Sequence, residues 1–139
     1  IAEPKGRESV VYKLKQKGAS FTSIIHPDTH ISDYCTLCEC IILYWYTFIG
    51  PNAVIGNFSF LQAGVSHDCH IGDFSTISRD ARLSGGVVVG QRVFIGSNAT
   101  IIPGKTIDND AYVGAGSVVI RNVKPNSKVF GNPARKVDV

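Results

Sequence analysis

The chain has 139 residues, room for one core, and its 44% hydrophobic and 18% charged content with 14 glycines excludes a disordered or collagen-like chain. The longest mostly apolar stretch, 41–49, falls well short of the roughly 20 residues of a membrane helix, and no basic-then-apolar leader opens the chain, so a cytoplasmic protein with no membrane partner is expected. Net charge +3 divides into five Lys/Arg against two acids over 1–17, none against five over 18–78 and nine against four over 79–139; the aromatics gather where basic residues are absent, which argues against nucleic acid, while the positive carboxy-terminal half suits a small polyanion.

The first predicted element is a short helix from Pro4 to Gly18, with Val10, Val11 and Leu14 on one side and Gly18 as its stop. From residue 25 the pattern changes. Every sixth residue is aliphatic: Ile25, Ile31, Leu37, Leu43, Ile49, Ile55 and Leu61, then, after a step of four, Val65, Ile71, Ile77, Leu83, Val89, Ile95, Ile101, Ile107, Val113 and Val119. A period of six fits neither a helix nor simple strand alternation. It fits a solenoid in which each hexad gives one short strand and one corner, three hexads close a triangular coil, and the anchors stack as internal rungs. Four residues after most anchors stands a small side chain, such as Thr47, Ala53, Ser59, Ser75 or Ala99. Glycine often follows the anchor directly, as at Gly50, Gly56, Gly72, Gly90, Gly96 and Gly114, and is expected to permit the tight corners.

The step from Leu61 to Val65 takes two residues out of one coil. Two readings stay open: an irregularity beside the functional site, or about two residues lacking from a sequence that contains no methionine. The run 43–48 places several aromatics outside one coil, where subunit contact would cover them.

Cys35, Cys38 and Cys40 have a ligand-like spacing. Cys35 and Cys69, however, occupy the small slot of the repeat and read as core filler, so no metal is expected and the four cysteines are taken as free thiols. Of the four histidines, His26 and His30 fall in the first coil and read as structural, and His70 as a coil-surface residue. His67 sits beside the short step. Acyl transfer from a thioester needs a base, donors for the developing oxyanion and a groove aligning the reactants, and histidine titrates in the right range.

The period, together with 53–56 (Ala-Val-Ile-Gly), 111–119 (Ala-Tyr-Val-Gly-Ala-Gly-Ser-Val-Val) and 131–135 (Gly-Asn-Pro-Ala-Arg), resembles the hexapeptide-repeat acyltransferases. That resemblance implies an all-β solenoid, a left-handed parallel β-helix with a short N-terminal helix, divided as 1–24 helix and linker, 25–124 β-helix and 125–139 C-terminal extension. Residues 1–23 are similar to the last helix and exit strand of the Rossmann-like domain carried by the family's sugar acetyltransferases, which would make the chain a fragment; a complete protein with a helical cap is the alternative. Residues 66–73 (Ser-His-Asp-Cys-His-Ile-Gly-Asp) and 81–86 (Ala-Arg-Leu-Ser-Gly-Gly) resemble the acetyltransferases of amino-sugar nucleotides or sialic acid.

By resemblance, His67 is the catalytic base and Asp68 the carboxylate that tunes it. Acetyl-CoA is the co-substrate, held between solenoids of a homotrimer by Gly85 near the thioester and by Ser97 and Ala115 along successive coils. Relatives carry a second histidine where this chain has Thr76, whose hydroxyl would donate to the acetyl oxygen. The acceptor is a sugar or nucleotide-sugar hydroxyl or amine. Two rival readings are a non-catalytic solenoid scaffold and a γ-type carbonic anhydrase, whose three zinc histidines require a wider spacing than His67 and His70 provide.

Overall fold

The computed structural model describes residues 2–138. Its strands wind as a left-handed parallel β-helix with three faces. The first face stacks Ile24–Ile25, Ile42–Leu43, the start of Phe60–Val65, the start of Thr76–Leu83, Phe94–Ile95, Tyr112–Val113 and Lys128–Phe130. The second runs from His30–Ile31 and Phe48–Ile49 through the ends of those two long strands to Thr100–Ile101 and Val118–Val119. The third stacks Thr36–Leu37, Val54–Ile55, His70–Ile71, Val88–Val89 and Thr106–Ile107. All these pairs are parallel; the strand Arg135–Lys136 closes antiparallel on Lys128–Phe130. The winding thus continues beyond residue 124, since Val123 bridges Ile107 and Lys128–Phe130 extends the first face.

The predicted rungs form the core. From Leu43 to Val119 every anchor is at most 1% exposed, and the small slots pack between them. Ile25, 43% exposed, belongs to the first coil, which among the described residues pairs on one side only. Burying an aliphatic side chain contributes roughly 1.5–3 kcal/mol, and the even repetition of that term along the axis holds a fold with so little long secondary structure.

Corner geometry corrects one expectation. The glycines after the anchors are not the residues with positive φ; that conformation falls two positions later, three after the anchor, at Tyr34, Cys40, Tyr46, Asn52, Phe58, Asp68, Phe74, Asp80, Arg92, Asn98 and Asp110, with glycine at 86, 104 and 116. The glycines after the anchors answer a different need, the close approach of successive coils: a β-carbon on Gly72 would lie 2.5 Å from the Gly90 carbonyl carbon.

The helix α1 spans Pro4–Gln16, starts on a Glu3 cap whose side chain accepts from the Lys5 amide at 3.0 Å, and gives way to Gly18 at φ +78°. Of the three apolar residues expected on its inner side only Val11 is buried; Val10 and Leu14 remain exposed, and Pro4 and Arg7 join Val11 in the contact. The reason is the surface it meets, the corner between the third and first faces. There Phe58 and Phe74 stack at 5.1 Å and backbone carbonyls point outward, so an arginine fits better than another aliphatic. The Arg7 guanidinium donates to the carbonyls of Phe58 (2.8 Å) and Phe74 (2.6 Å) and to Thr76 Oγ1 (2.9 Å).

The coil containing the short step closes with sixteen residues. Phe60 and Leu61 pair with Thr76 and Ile77, whereas Ala63, Gly64 and Val65 pair with Ala81, Arg82 and Leu83, so the upper strand carries two extra residues. The lower chain runs straight from the first face to the second, without the corner that Tyr46 makes below and Asp80 above.

Candidate active site

His67 and Asp68 form the corner between the second and third faces, two and three residues after the rung Val65. Asp68 has φ +58°, a conformation that Asp and Asn tolerate better than most residues. Its amide donates to the Pro51 carbonyl of the preceding coil at 3.0 Å, which fixes the turn. This backbone shape brings the Asp68 carboxylate back onto its neighbour, and His67 Nδ1 lies 2.7 Å from Asp68 Oδ2. The other carboxylate oxygen accepts from Asn52 Nδ2 at 3.1 Å. The His67 hydrogen bond, and after it that of Asn52, hold the Asp68 carboxyl below the usual carboxylate range.

An ionised carboxylate only accepts. Nδ1 is therefore the protonated nitrogen of His67, and in the neutral ring Nε2 carries the free lone pair. The ring is 63% exposed, so Nε2 is reachable from solvent. Beneath it, one coil on, is Gly85: a β-carbon there would stand 2.5 Å from both Cε1 and Nε2. The Gly86 amide is spent on the His67 carbonyl at 3.0 Å, while the Gly85 amide takes no backbone partner among the described residues. His67 Nε2 and the Gly85 backbone thus meet at one corner; a base beside an N–H donor is what removing a proton and stabilising an oxyanion at the same carbon requires.

The missing corner opens a cleft of about 430 Å³ on the second face, reaching Ser66 and Ser84, the residues before His67 and Gly85. Trp45, Tyr46 and Gln62 line it, and Arg79 and Arg82 close it, with the Arg79 guanidinium 4.9 Å from the Trp45 ring centre. Neither this cleft nor Asn52 was identified from sequence. The cleft follows from the short step and could have been read there; the Asn52 contact spans sixteen residues, a separation the regular eighteen-residue coil conceals.

The other expected site residues separate into two groups. Gly85 lies with His67. Ser97 and Ala115 stack with each other, eighteen residues apart, but on the corner between the first and second faces, because a step of twelve residues from Gly85 moves two faces round the coil and stops one short of a full turn. One groove over all three in a single chain is therefore not what the fold supplies. Thr76 is 1% exposed, donates to the Ala2 carbonyl at 2.6 Å and accepts from Arg7; its one hydroxyl proton is committed to the helix contact, not presented to an acetyl oxygen.

Cys69 packs in the core with its thiol 3.2 Å from the Ser84 carbonyl, and burial pushes that thiol's pKa up. Cys35 packs at the edge of the same core. Among the described residues no three His, Cys, Asp or Glu side chains gather as a metal site, and no helix is long and apolar enough to cross a membrane.

Comparison with known proteins bears on the fold and the family. Residues 68–103 match the family model "Bacterial transferase hexapeptide (six repeats)". The chain is 33% identical to the GDP-perosamine N-acetyltransferase of Escherichia coli O157:H7 over 99% of its own length and 65% of that protein's, and so spans a little under two thirds of that relative. The crystal structure of PerB from Caulobacter crescentus, in complex with CoA and GDP-perosamine, superposes with a TM-score of 0.96 at 33% identity, covering 99% of this chain and 68% of that one. A histidine-to-alanine mutant of the GDP-perosamine N-acetyltransferase from the same organism, also with both ligands, gives a TM-score of 0.95 at 32% identity over 100% and 67%. With its six-residue rungs, its stacked coils and this similarity along its whole length, the chain belongs to the hexapeptide-repeat acyltransferases.

Proposed function

We propose that the chain carries the acetyl-transfer centre of a cytoplasmic, acetyl-CoA-dependent acetyltransferase whose acceptor is an amine or hydroxyl of a sugar, most readily a nucleotide-linked one. The observation that carries this reading is the His67 ring, protonated at Nδ1 by its 2.7 Å contact with Asp68 and turned with Nε2 towards Gly85. The acceptor lies in the cleft beside Ser66 and Ser84. Its nitrogen or oxygen attacks the thioester carbonyl carbon while His67 Nε2 takes its proton. The Gly85 amide donates to the carbonyl oxygen as that oxygen becomes negative. Collapse of the tetrahedral adduct breaks the carbon–sulfur bond, and the Nε2 proton passes to the departing thiolate, restoring the neutral ring. Asp68 holds the ring in one tautomer and stabilises the imidazolium between the two proton transfers.

A two-chain site fits the corner geometry. Ser97 and Ala115 occupy a different corner from His67, so a pantetheine groove touching all of them joins the corner of one chain to that of another, in a homotrimer. Arg121, Lys124, Arg135 and Lys136 line a basic cleft at the carboxy-terminal end, suited to the phosphates of the coenzyme. The relatives support the ligand classes, since PerB is seen with CoA and a nucleotide sugar.

The deciding experiment measures thiol release from acetyl-CoA with amino-sugar nucleotides, for the parent and for His67→Ala. A positioned base is worth about 10² to 10⁴ in rate, so kcat should fall by that range while coenzyme binding persists. A variant with full activity would remove His67 from the mechanism; a parent that binds no acetyl-CoA would favour a scaffold.

A further inference from the structure

The Asn52 side chain makes a single hydrogen bond among the described residues, to Asp68. It stands exposed at a coil corner with φ +59°, one coil before Asp68. The corners are stacked, because the Asp68 amide donates to the Pro51 carbonyl at 3.0 Å. From that position the Asn52 carboxamide donates to Asp68 Oδ1 at 3.1 Å, leaving Oδ2 to receive the His67 Nδ1 proton at 2.7 Å. Among the described residues the carboxylate has no other hydrogen-bond partner, and the Asp68 side chain is 56% exposed. An exposed side chain of this kind otherwise distributes among staggered wells, and in most of them Oδ2 would leave the imidazole.

We propose that Asn52 is a positioning residue for the His67 base: by pinning Asp68 Oδ1 from the coil below, it sets the carboxylate orientation that keeps the proton on Nδ1 and the lone pair on Nε2. A neutral amide suits this task. A lysine or arginine would compete with the imidazole for the carboxylate and oppose the imidazolium formed during transfer. The role rests on the acetyl-transfer reading above, but its physical content, the link from Asn52 to the ring tautomer, exists without any substrate.

The test uses the full chain labelled with 15N-histidine, and two variants that accept the positive φ. Asn52→Gly removes the side chain without backbone strain, and Asn52→Asp keeps the shape but replaces the donor with a second carboxylate. In the parent, the neutral His67 ring should report the Nδ1-protonated tautomer by its 15N shifts. Both variants should show a mixture containing the Nε2-protonated form. With acetyl-CoA and an acceptor sugar, kcat should fall by about tenfold, a fraction of the loss on removing the base itself, with KM for acetyl-CoA unchanged. In an Asp68→Asn background, Asn52→Gly should have no further effect on tautomer or rate. Parent-like tautomer populations in both variants would overturn the proposal. A parent without acetyl transfer would instead sink the catalytic reading, while the tautomer measurement would still decide the role of Asn52.

Discussion

Gly85 lies under the His67 imidazole so closely that a single methyl group there would occupy the ring's space, 2.5 Å from Cε1 and Nε2. The φ of Gly85 is not in the left-handed region, so the glycine serves proximity and not backbone freedom. Gly85→Ala should leave folding almost untouched, because the obstructed atoms belong to an exposed side chain that can swing away. Activity should not survive as well. Displacing a reacting group by about 1 Å can cost about 10²-fold, and a kcat reduced by about 10- to 100-fold at unchanged Tm is expected. A melting shift without loss of rate would place Gly85 in the scaffold alone.

Asp68 gives a titration with a definite sign. Its carboxyl is held low by the His67 and Asn52 hydrogen bonds, so the ionised form that fixes the His67 tautomer persists above the ordinary carboxylate range. It is lost only as pH falls through the depressed value. Carbon-13 detection of the Asp68 carboxyl should find a midpoint below the roughly 3.9 of a free aspartate, and Asn52→Gly should move it upward. A midpoint at or above the free value would mean that the contact with His67 does not form in solution.

Much of this architecture can be read from the chain because burial acts on every anchor from Leu43 to Val119, six residues apart except at the step of four after Leu61. The corners are less legible. Tyr34, Phe58 and Arg92 share the left-handed conformation with Asn52 and Asp68, so residue type at that position signals little; the conformation is imposed by coil closure and not by local preference. The corner that holds His67, Asp68 and Gly85 was singled out only through its resemblance to relatives, and the catalytic roles proposed for them rest on the same ground. Ser97 and Ala115 came from the same resemblance, and their place on a different corner from His67 follows from the period, since twelve residues from Gly85 carry the chain two faces round the coil. The burial of Thr76 is not legible in the sequence. Its environment is made by Arg7, sixty-nine residues earlier, and no local pattern announces so distant a partner.

Arg7 makes the helix contact testable. Its side chain is 8% exposed, and burial pulls its guanidinium down to about 10, still charged at neutral pH. Hydrogen bonds to charged groups are worth about 1.5–3 kcal/mol, and Arg7→Ala strands the Phe58 and Phe74 carbonyls that it serves. A loss of about 2–4 kcal/mol in the docking of α1 is expected. Amide exchange should therefore accelerate across residues 4–16 while the rungs from Ile71 to Val119 stay protected. Acceleration spreading evenly through the solenoid would show instead that Arg7 stabilises the coils themselves.

The two kinds of glycine can be separated by paired substitutions. At Gly72 a β-carbon would meet the Gly90 backbone at 2.5 Å, and backbone on both sides is fixed by ladder hydrogen bonds, since the Gly72 amide donates to the Val89 carbonyl at 2.8 Å and the Gly90 amide to that of Ile107 at 2.8 Å. Neither coil can retreat without stretching bonds that neighbouring coils share. At Gly104 φ is +67° and no atom lies within 4 Å of a β-carbon, so the demand is conformational alone, and asparagine already meets it at the equivalent corner position of Asn98. Gly104→Asn should cost less than about 1 kcal/mol, because Asn tolerates the left-handed region. Gly72→Ala should cost about 3 kcal/mol or more, in the range of severe overpacking. Chemical denaturation of the two variants checks the order: a Gly72→Ala protein as stable as Gly104→Asn would show that the coils have slack, and that the glycines after the anchors serve the turns after all.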